Sequence, residues 1–213
     1  MPAMQNNKTA AVRPMSPARR HARKVFQHHG TMRTREILAA GIHPRTLYQM
    51  RDAGEVEQQG RGLFRLADMP PVGQPDLVTI AKRIPNAVIC LVSALAFHEL
   101  TTQVPHRIEV ALPVTARTPR LTHPPIQIYR FSKESFHSGI ETHLIDGVSV
   151  QIYSAEKTLA DTFKYRNKIG TDIPVAALRA YLARTRPRLN DLMKYARACR
   201  VEKIIRPYLE AIV

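Results

Sequence analysis

Cysteine is scarce in this chain of 213 residues: Cys90 and Cys199 stand far apart, with no partner at disulfide, zinc or redox spacing. A reducing cytoplasm is the natural compartment for such a sequence. Long apolar runs are missing as well. No stretch approaches the roughly 18 residues of a membrane-spanning helix, and the basic N-terminus lacks the continuous apolar segment of a secretory signal. Acidic residues are the third shortage, with 17 Asp and Glu against 32 Lys and Arg, a net charge of +15. Residues 1–70 hold 12 basic and 5 acidic side chains, residues 71–154 hold 7 and 6, and residues 155–213 hold 13 and 6. The excess sits at the two ends. It favours a polyanionic partner, nucleic acid ahead of an anionic membrane surface.

Signatures of catalysis are absent too. No Gly-x-Ser-x-Gly turn surrounds Ser93 and no glycine-rich loop could cradle a phosphate. His28, His29, His98, His106, His123, His137 and His143 never fall at metal spacing with Cys or Asp partners, so neither a metal nor a cofactor is expected. His98 is read as a hydrogen-bonded structural histidine on a helix whose other face is apolar. A strand-rich middle with Glu109, Glu134, Glu141 and Asp146, followed by Glu156 and Lys157, invites comparison with Mg²⁺-dependent nucleases. The spacing is poor, and Asp146 opens a hairpin turn. Glu156 reads better as an acid favouring a helix N-terminus beside a Ser154 cap.

What is present organises the chain into an α+β protein of two domains. Residues 1–17 are polar and read as a disordered extension. Within and just after it, Arg13, Arg19, Arg20, Arg23 and Lys24 could touch phosphates or simply be solvated. Residues 18–66 read as a winged helix-turn-helix: a helix around Val25 and Phe26 that stops at Gly30, and a second begun near Thr34 with Gly41 past its end. A third starts at His43-Pro44 and ends at Gly54, and a ribbon pairs Val56–Gln59 with Leu63–Leu66 around Gly60-Arg61-Gly62. Residues 67–76, with three prolines and one glycine in ten positions, form a linker. Residues 77–213 then mix elements: a helix from Leu77 to Arg83, an apolar run from Ala87 to Val92, and a helix through Leu100 that Ser93 could cap. A small antiparallel sheet is expected from Arg107–Leu112, Ile126–Phe131, Glu141–Ile145 and Val148–Tyr153, with Asp146-Gly147 as a type I′ turn. From Ser154 the apolar period is helical, marked by Leu159 and Phe163, by Val175, Leu178, Tyr181 and Leu182, by Leu189, Leu192, Met193 and Ala196, and by Val201, Ile204, Ile205 and Tyr208. Pro207 should kink or restart the last of these helices.

The third helix carries the sharpest chemistry. At about 100° per residue, Leu47, Met50 and the stem of Arg51 fall on the packing side. Arg45, Tyr48, Gln49 and Asp52 fall opposite, Asp52 turned away from phosphates. Arg can read guanine and Gln adenine in the major groove, while Tyr can hold a phosphate or a thymine methyl. Arg61, between two glycines, could reach a phosphate or a narrow minor groove. Arg65 shares the face of Leu63, and its part in binding is less direct. The DNA-binding set is therefore Thr34, Arg35, Arg45, Thr46, Tyr48, Gln49 and Arg61. Lys164, Arg166, Lys168, Arg184, Arg186, Arg188, Lys194, Arg197 and Arg200 form either a solvated face, a second polyanion surface or a docking face for an acidic protein.

The run REILAAGIHPRTLYQMRDAGEVEQQGRGLFRL, followed by SALAFHEL and SAEKTLADTFKYRNKIG, resembles the AbiEi antitoxins of bacterial type IV toxin–antitoxin, or abortive infection, systems, over about residues 20–213. The resemblance implies an N-terminal winged helix that binds inverted repeats in the promoter of its own operon. It also implies a C-terminal domain that neutralises a nucleotidyltransferase toxin encoded beside it. The expected function is thus an antitoxin that represses its own operon, cytoplasmic and nucleoid-associated when DNA-bound, and not an enzyme. A stand-alone winged-helix regulator is the alternative, and a metal-dependent nuclease a second one.

Overall fold

The computed structural model describes residues 15–70 and 72–212. They divide into two compact units, Met1–Pro70 and Pro71–Val213. Most of the expected N-terminal extension, Arg13 included, lies outside the described residues. Pro17 already begins a helix.

In the first unit, α1 (Pro17–His29) starts on the Ser16 side chain, which accepts from the Arg19 N–H at 3.4 Å, and stops at Gly30. A two-residue strand, β1 (Met32–Arg33), leads into α2 (Thr34–Ala39). Gly41 then turns the chain with φ of 80°. His43 caps α3 (Pro44–Asp52), its Nδ1 accepting the Arg45 N–H at 3.2 Å, and Pro44 supplies the fixed φ of a first helical position. The ribbon is β2 (Val56–Gly60) with β3 (Leu63–Leu66). The sheet order is β1-β3-β2, all antiparallel. Because β3 is the central strand, all four of its residues are buried, and a clean two-residue alternation is lost. Ala22, Phe26, Ile37, Leu47, Met50, Val56, Phe64 and Leu66 form the core. Burying each of the larger ones contributes roughly 1.5–3 kcal/mol.

Arg65 does not serve the surface. It is 4% exposed, and its guanidinium donates to the carbonyls of Met69 (3.3 Å) and Pro70, holding the chain where it leaves the ribbon.

The second unit is built on a mixed five-stranded sheet, ordered β6-β5-β4-β8-β7. Its strands are β4 (Val88–Ile89), β5 (Ile108–Pro113), β6 (Ile126–Phe131), β7 (Ile140–Ile145) and β8 (Val148–Tyr153). The pairs β4–β5 and β7–β8 are antiparallel, whereas β5–β6 and β4–β8 run parallel. Hydrophobic alternation is blind to that difference. Asp146 and Gly147, with φ of 49° and 70°, make the hairpin turn between β7 and β8.

Helix α4 (Pro75–Arg83) begins two residues before Leu77 and packs on β8. Leu77, Ile80, Ile89, Val110, Leu112, Val150 and Ile152 fill the core there. Helix α5 (Leu91–Phe97) starts before Ser93 and ends before Leu100, so Ser93 is not its cap. Glu109 of β5 takes that part instead: its Oε2 accepts the N–H groups of Val92 (2.6 Å) and Ser93 (3.3 Å). The Ser93 hydroxyl accepts the Glu109 N–H at 2.9 Å in return. A carboxylate from another strand satisfies the helix start, which no local pattern announces.

After α6 (Lys133–His137), four longer helices close the unit around α7 (Ala155–Lys164): α9 (Asp172–Leu182), α10 (Leu189–Ala198), α11 (Glu202–Ile212) and, earlier, α5. A short α8 (Arg166–Ile169) joins α7 to α9. Residues 155–163 of α7 are all buried. Ser154 caps it as expected, accepting the Lys157 N–H at 3.3 Å. Two of the expected core positions are not core: Leu189 is 39% and Tyr208 38% exposed, each near the end of its helix. Helix α11 runs through Pro207 without restarting. Pro207 is exposed, and the main-chain bond its missing N–H gives up lies on the solvent side of the helix.

Candidate nucleic-acid interface

Helix α3 is locked from below and open above. Leu47 and Met50 are fully buried between α1 and the sheet, while Arg45, Tyr48 and Gln49 are exposed and Thr46 is half-buried. Arg51 departs from its expected place. Its side chain is 39% exposed, lies 4.9 Å over the Tyr48 ring, and donates from Nε (2.9 Å) and Nη2 (2.7 Å) to Asp52 Oδ1. The edge of Tyr48 also meets Phe64 of β3, centroids 6.5 Å apart. Tyr48 is therefore clamped between the ribbon and a guanidinium, and Asp52 is paired with Arg51. Sequence reasoning left Arg51 out of the site because a helical wheel does not resolve a residue at the boundary of two faces.

Thr34 opens α2 and ties it to the ribbon: its N–H donates to Gly62 O at 3.0 Å, with the hydroxyl 3.5 Å from the same oxygen. Arg35 is exposed on the next residue, and Arg61 is exposed at the ribbon turn. Three of the four Lys and Arg side chains of α1 bond within the unit, and Lys24 is exposed. Arg19 pairs with Glu55 at 2.8 Å, Arg23 pairs with Asp68, and Arg20 donates to Met15 O at 2.8 Å.

The nine cations expected to form a surface in the second unit have separate surroundings. Arg188 grips Glu156 through Nε (2.9 Å) and Nη2 (2.8 Å). Glu156, 3% exposed, also accepts the Tyr181 hydroxyl at 2.6 Å, so it is the centre of a buried network and more than a helix-dipole acid. Arg166 donates to Phe163 O at 2.9 Å, Arg184 to His98 O, and Arg197 lies 3.6 Å from Glu202. Lys168 and Lys194 sit 5.7 and 5.9 Å from the rings of Tyr165 and Tyr195. Arg186 is exposed, and Lys164 and Arg200 share the wall of one pocket.

The carboxylates of the nuclease alternative are dispersed. Glu109 is committed to α5 and to the Tyr129 hydroxyl (3.1 Å), and Asp146 forms its turn. Among the described residues, no group of three His, Cys, Asp or Glu could hold a metal ion. His98 Nε2 lies 2.7 Å from Tyr153 O, and burial pushes its pKa down. No helix among the described residues is long and apolar enough to cross a membrane.

A packed three-helix unit with a β-ribbon beside an exposed, cationic third helix defines a winged-helix fold. Residues 22–67 match the family model described as transcriptional regulator, AbiEi antitoxin, so this segment is similar to the regulators of that family. No curated protein matches the sequence. Among solved structures, the crystal structure of the RV2827C protein from Mycobacterium tuberculosis is 13% identical, with a TM-score of 0.48. That likeness covers 91% of this chain and 79% of that one.

Proposed function

We propose that this protein is the antitoxin of a type IV toxin–antitoxin system and represses its own operon by binding inverted repeats in the promoter. The observation that carries this reading is the clamped face of α3, with Arg45, Tyr48 and Gln49 exposed over a buried Leu47 and Met50, inside the AbiEi match. Arg45 and Gln49 read base edges. Tyr48, Thr46, Arg35 and the first turn of α2 at Thr34 set the helix on the backbone, and Arg61 reaches a phosphate or the minor groove. The second unit neutralises a nucleotidyltransferase toxin, and the chain works by binding rather than catalysis.

Fluorescence anisotropy with the DNA upstream of its own gene tests the first half. Arg45→Ala should cost about 1–3 kcal/mol and relax base preference, whereas Arg61→Ala should weaken all sequences alike. Unchanged affinity in both variants would remove α3 and the ribbon from the interface. One observation favours a narrower reading: the AbiEi match ends at residue 67. A stand-alone regulator would bind the same DNA yet fail to rescue growth when co-expressed with the product of a neighbouring nucleotidyltransferase gene.

A further inference from the structure

The second unit holds a pocket of about 490 Å³ that the reading of DNA by α3 does not require. Ser132, Ser135 and Ser138 line it around α6, Lys164 closes it from the end of α7, and Arg200 from the end of α10. Glu134 is the one carboxylate on its wall among the described residues.

Three observations mark it as built for a ligand. The Ser135 hydroxyl is buried and has no hydrogen-bond partner among the described residues. A buried donor left unmade is costly, and a native fold rarely keeps one without a use.

Arg200 is the second. It occupies the left-handed position just past α10 with φ of 61°. Its N–H donates to Arg197 O at 3.0 Å, and the next N–H, of Val201, to Ala196 O at 2.8 Å. That bonding pattern ordinarily takes glycine at this place. The strained residue there is an arginine that lines the pocket, kept at a conformational cost.

The third is the pocket floor. Lys157 is fully buried, ion-paired with Asp161, and seated 4.5 Å from the Tyr153 ring and 4.9 Å from that of Phe131. Gly139 is pressed so close to its stem that an added Cβ would lie 2.7 Å from Lys157 Cβ. With Lys157 matched by Asp161, Lys164 and Arg200 outweigh Glu134, and the wall is net positive.

Serines and two basic residues lining one pocket match a group with several acceptor oxygens and more than one negative charge. We infer that this pocket binds the terminal phosphate of a small molecule, a phosphate monoester or the free ion, through Lys164 and Arg200, with the serines around α6 lining the space beside them. The volume lies in the range of small-molecule sites, roughly 300–1,000 Å³, and leaves room for an organic body whose hydroxyl or amine Glu134 accepts. A nucleic-acid backbone fits less well, since each of its diesters carries a single charge and fewer non-bridging oxygens than a monoester.

Isothermal titration of the full chain at about 0.3 M KCl, where surface attraction is screened, tests this with inorganic phosphate, adenosine monophosphate and the dinucleotide ApA. The monophosphate should bind saturably, about tenfold or more weakly in Arg200→Gly and Lys164→Gln, and unchanged in Arg179→Gln, an exposed cation of α9 outside the pocket. Arg200→Gly relieves the left-handed strain, so its Tm should hold or rise, which separates lost binding from lost folding. Tighter binding of the monophosphate than of phosphate supports a monoester ligand, and equal binding supports the free ion. No saturable binding by either, tighter binding of ApA, or indifference to both pocket variants would overturn the inference.

Discussion

Glu156 and Lys157 are neighbours in sequence, yet α7 turns them toward separate partners, and each makes a charge tolerable in a buried helix by a different route. Burial pushes the Glu156 carboxyl up, but the Tyr181 hydroxyl, main-chain N–H and Arg188 outweigh it and hold its pKa below the ordinary glutamate value. A carboxyl depressed in the folded state contributes stability that is present above its unfolded pKa of about 4.3 and lost as pH falls through the folded value. Glu156→Gln should therefore cost about 2 kcal/mol at neutral pH and show a shallower loss of stability below about pH 4, read by urea unfolding across pH. An acid limb identical to the parent's would assign the sensitivity elsewhere. Glu109 has the opposite sign, since burial leaves its pKa raised despite the N–H donors of α5 and the Tyr129 hydroxyl. Its contribution is complete at low pH and declines as pH rises. The Lys157–Asp161 pair is the stricter case, with both side chains fully buried and Asp161 also taking the Cys199 thiol at 3.2 Å. Lys157→Met should destabilise by about 3–5 kcal/mol because Asp161 is left charged and alone. Lys157→Met with Asp161→Asn should recover part of that loss, and a double-mutant cycle measures how much.

Among the elements, the ribbon of the first unit depends most on one residue. Gly62 has φ of 68°, and a Cβ there would stand 3.2 Å from Thr34 Oγ1, against the strand-to-α2 tie. Gly62→Ala should cost about 1–2 kcal/mol of stability and weaken operator binding by displacing Arg61, with α3 still folded by circular dichroism. An alanine variant with parental Tm and affinity would mean that the turn is not held in this form. The contrast with the second unit explains which elements were legible in the sequence. Helix α3 shows itself because its signals are local: His43-Pro44 at the start, Gly54 past the end, and Leu47 and Met50 on one face. The Asp146-Gly147 hairpin and the Ser154 cap are local in the same sense. Strand β1 was missed because two residues carry no period, and they pair only by docking on Phe64 and Leu63. The start of α5 was misread because its cap is Glu109, sixteen or more residues away. The face of α3 was legible apart from Arg51. The Ser135–Lys164–Arg200 pocket was not, since its members come from three helices and meet only through packing.

For the molecule as a whole, the surplus of cations must be divided between folding and binding before +15 can describe a partner. In the first unit Arg19, Arg23 and Arg65 are bound to Glu55, Asp68 and the Met69 and Pro70 carbonyls, so those three cations serve the fold and the proposed DNA contacts rest on the exposed residues of α2, α3 and the ribbon turn. Its core, with Phe26, Ile37, Leu47, Met50, Val56 and Leu66 among its members, is drawn from the helices and strands of this unit. Domains of this size are marginal but do fold alone. A fragment ending at residue 70 retains both carbonyls that Arg65 holds, and one ending at 66 loses them. The fragment of residues 15–70 should therefore unfold cooperatively and at higher temperature than the fragment of residues 15–66. It should bind operator DNA with an affinity that falls by about 0.9 log units per decade of salt for each phosphate neutralised. The fragment of residues 72–212 should fold but lack operator preference. Sequence-specific binding by the second fragment, or salt-independent binding by the first, would contradict a reading in which α3 and the ribbon are the DNA reader.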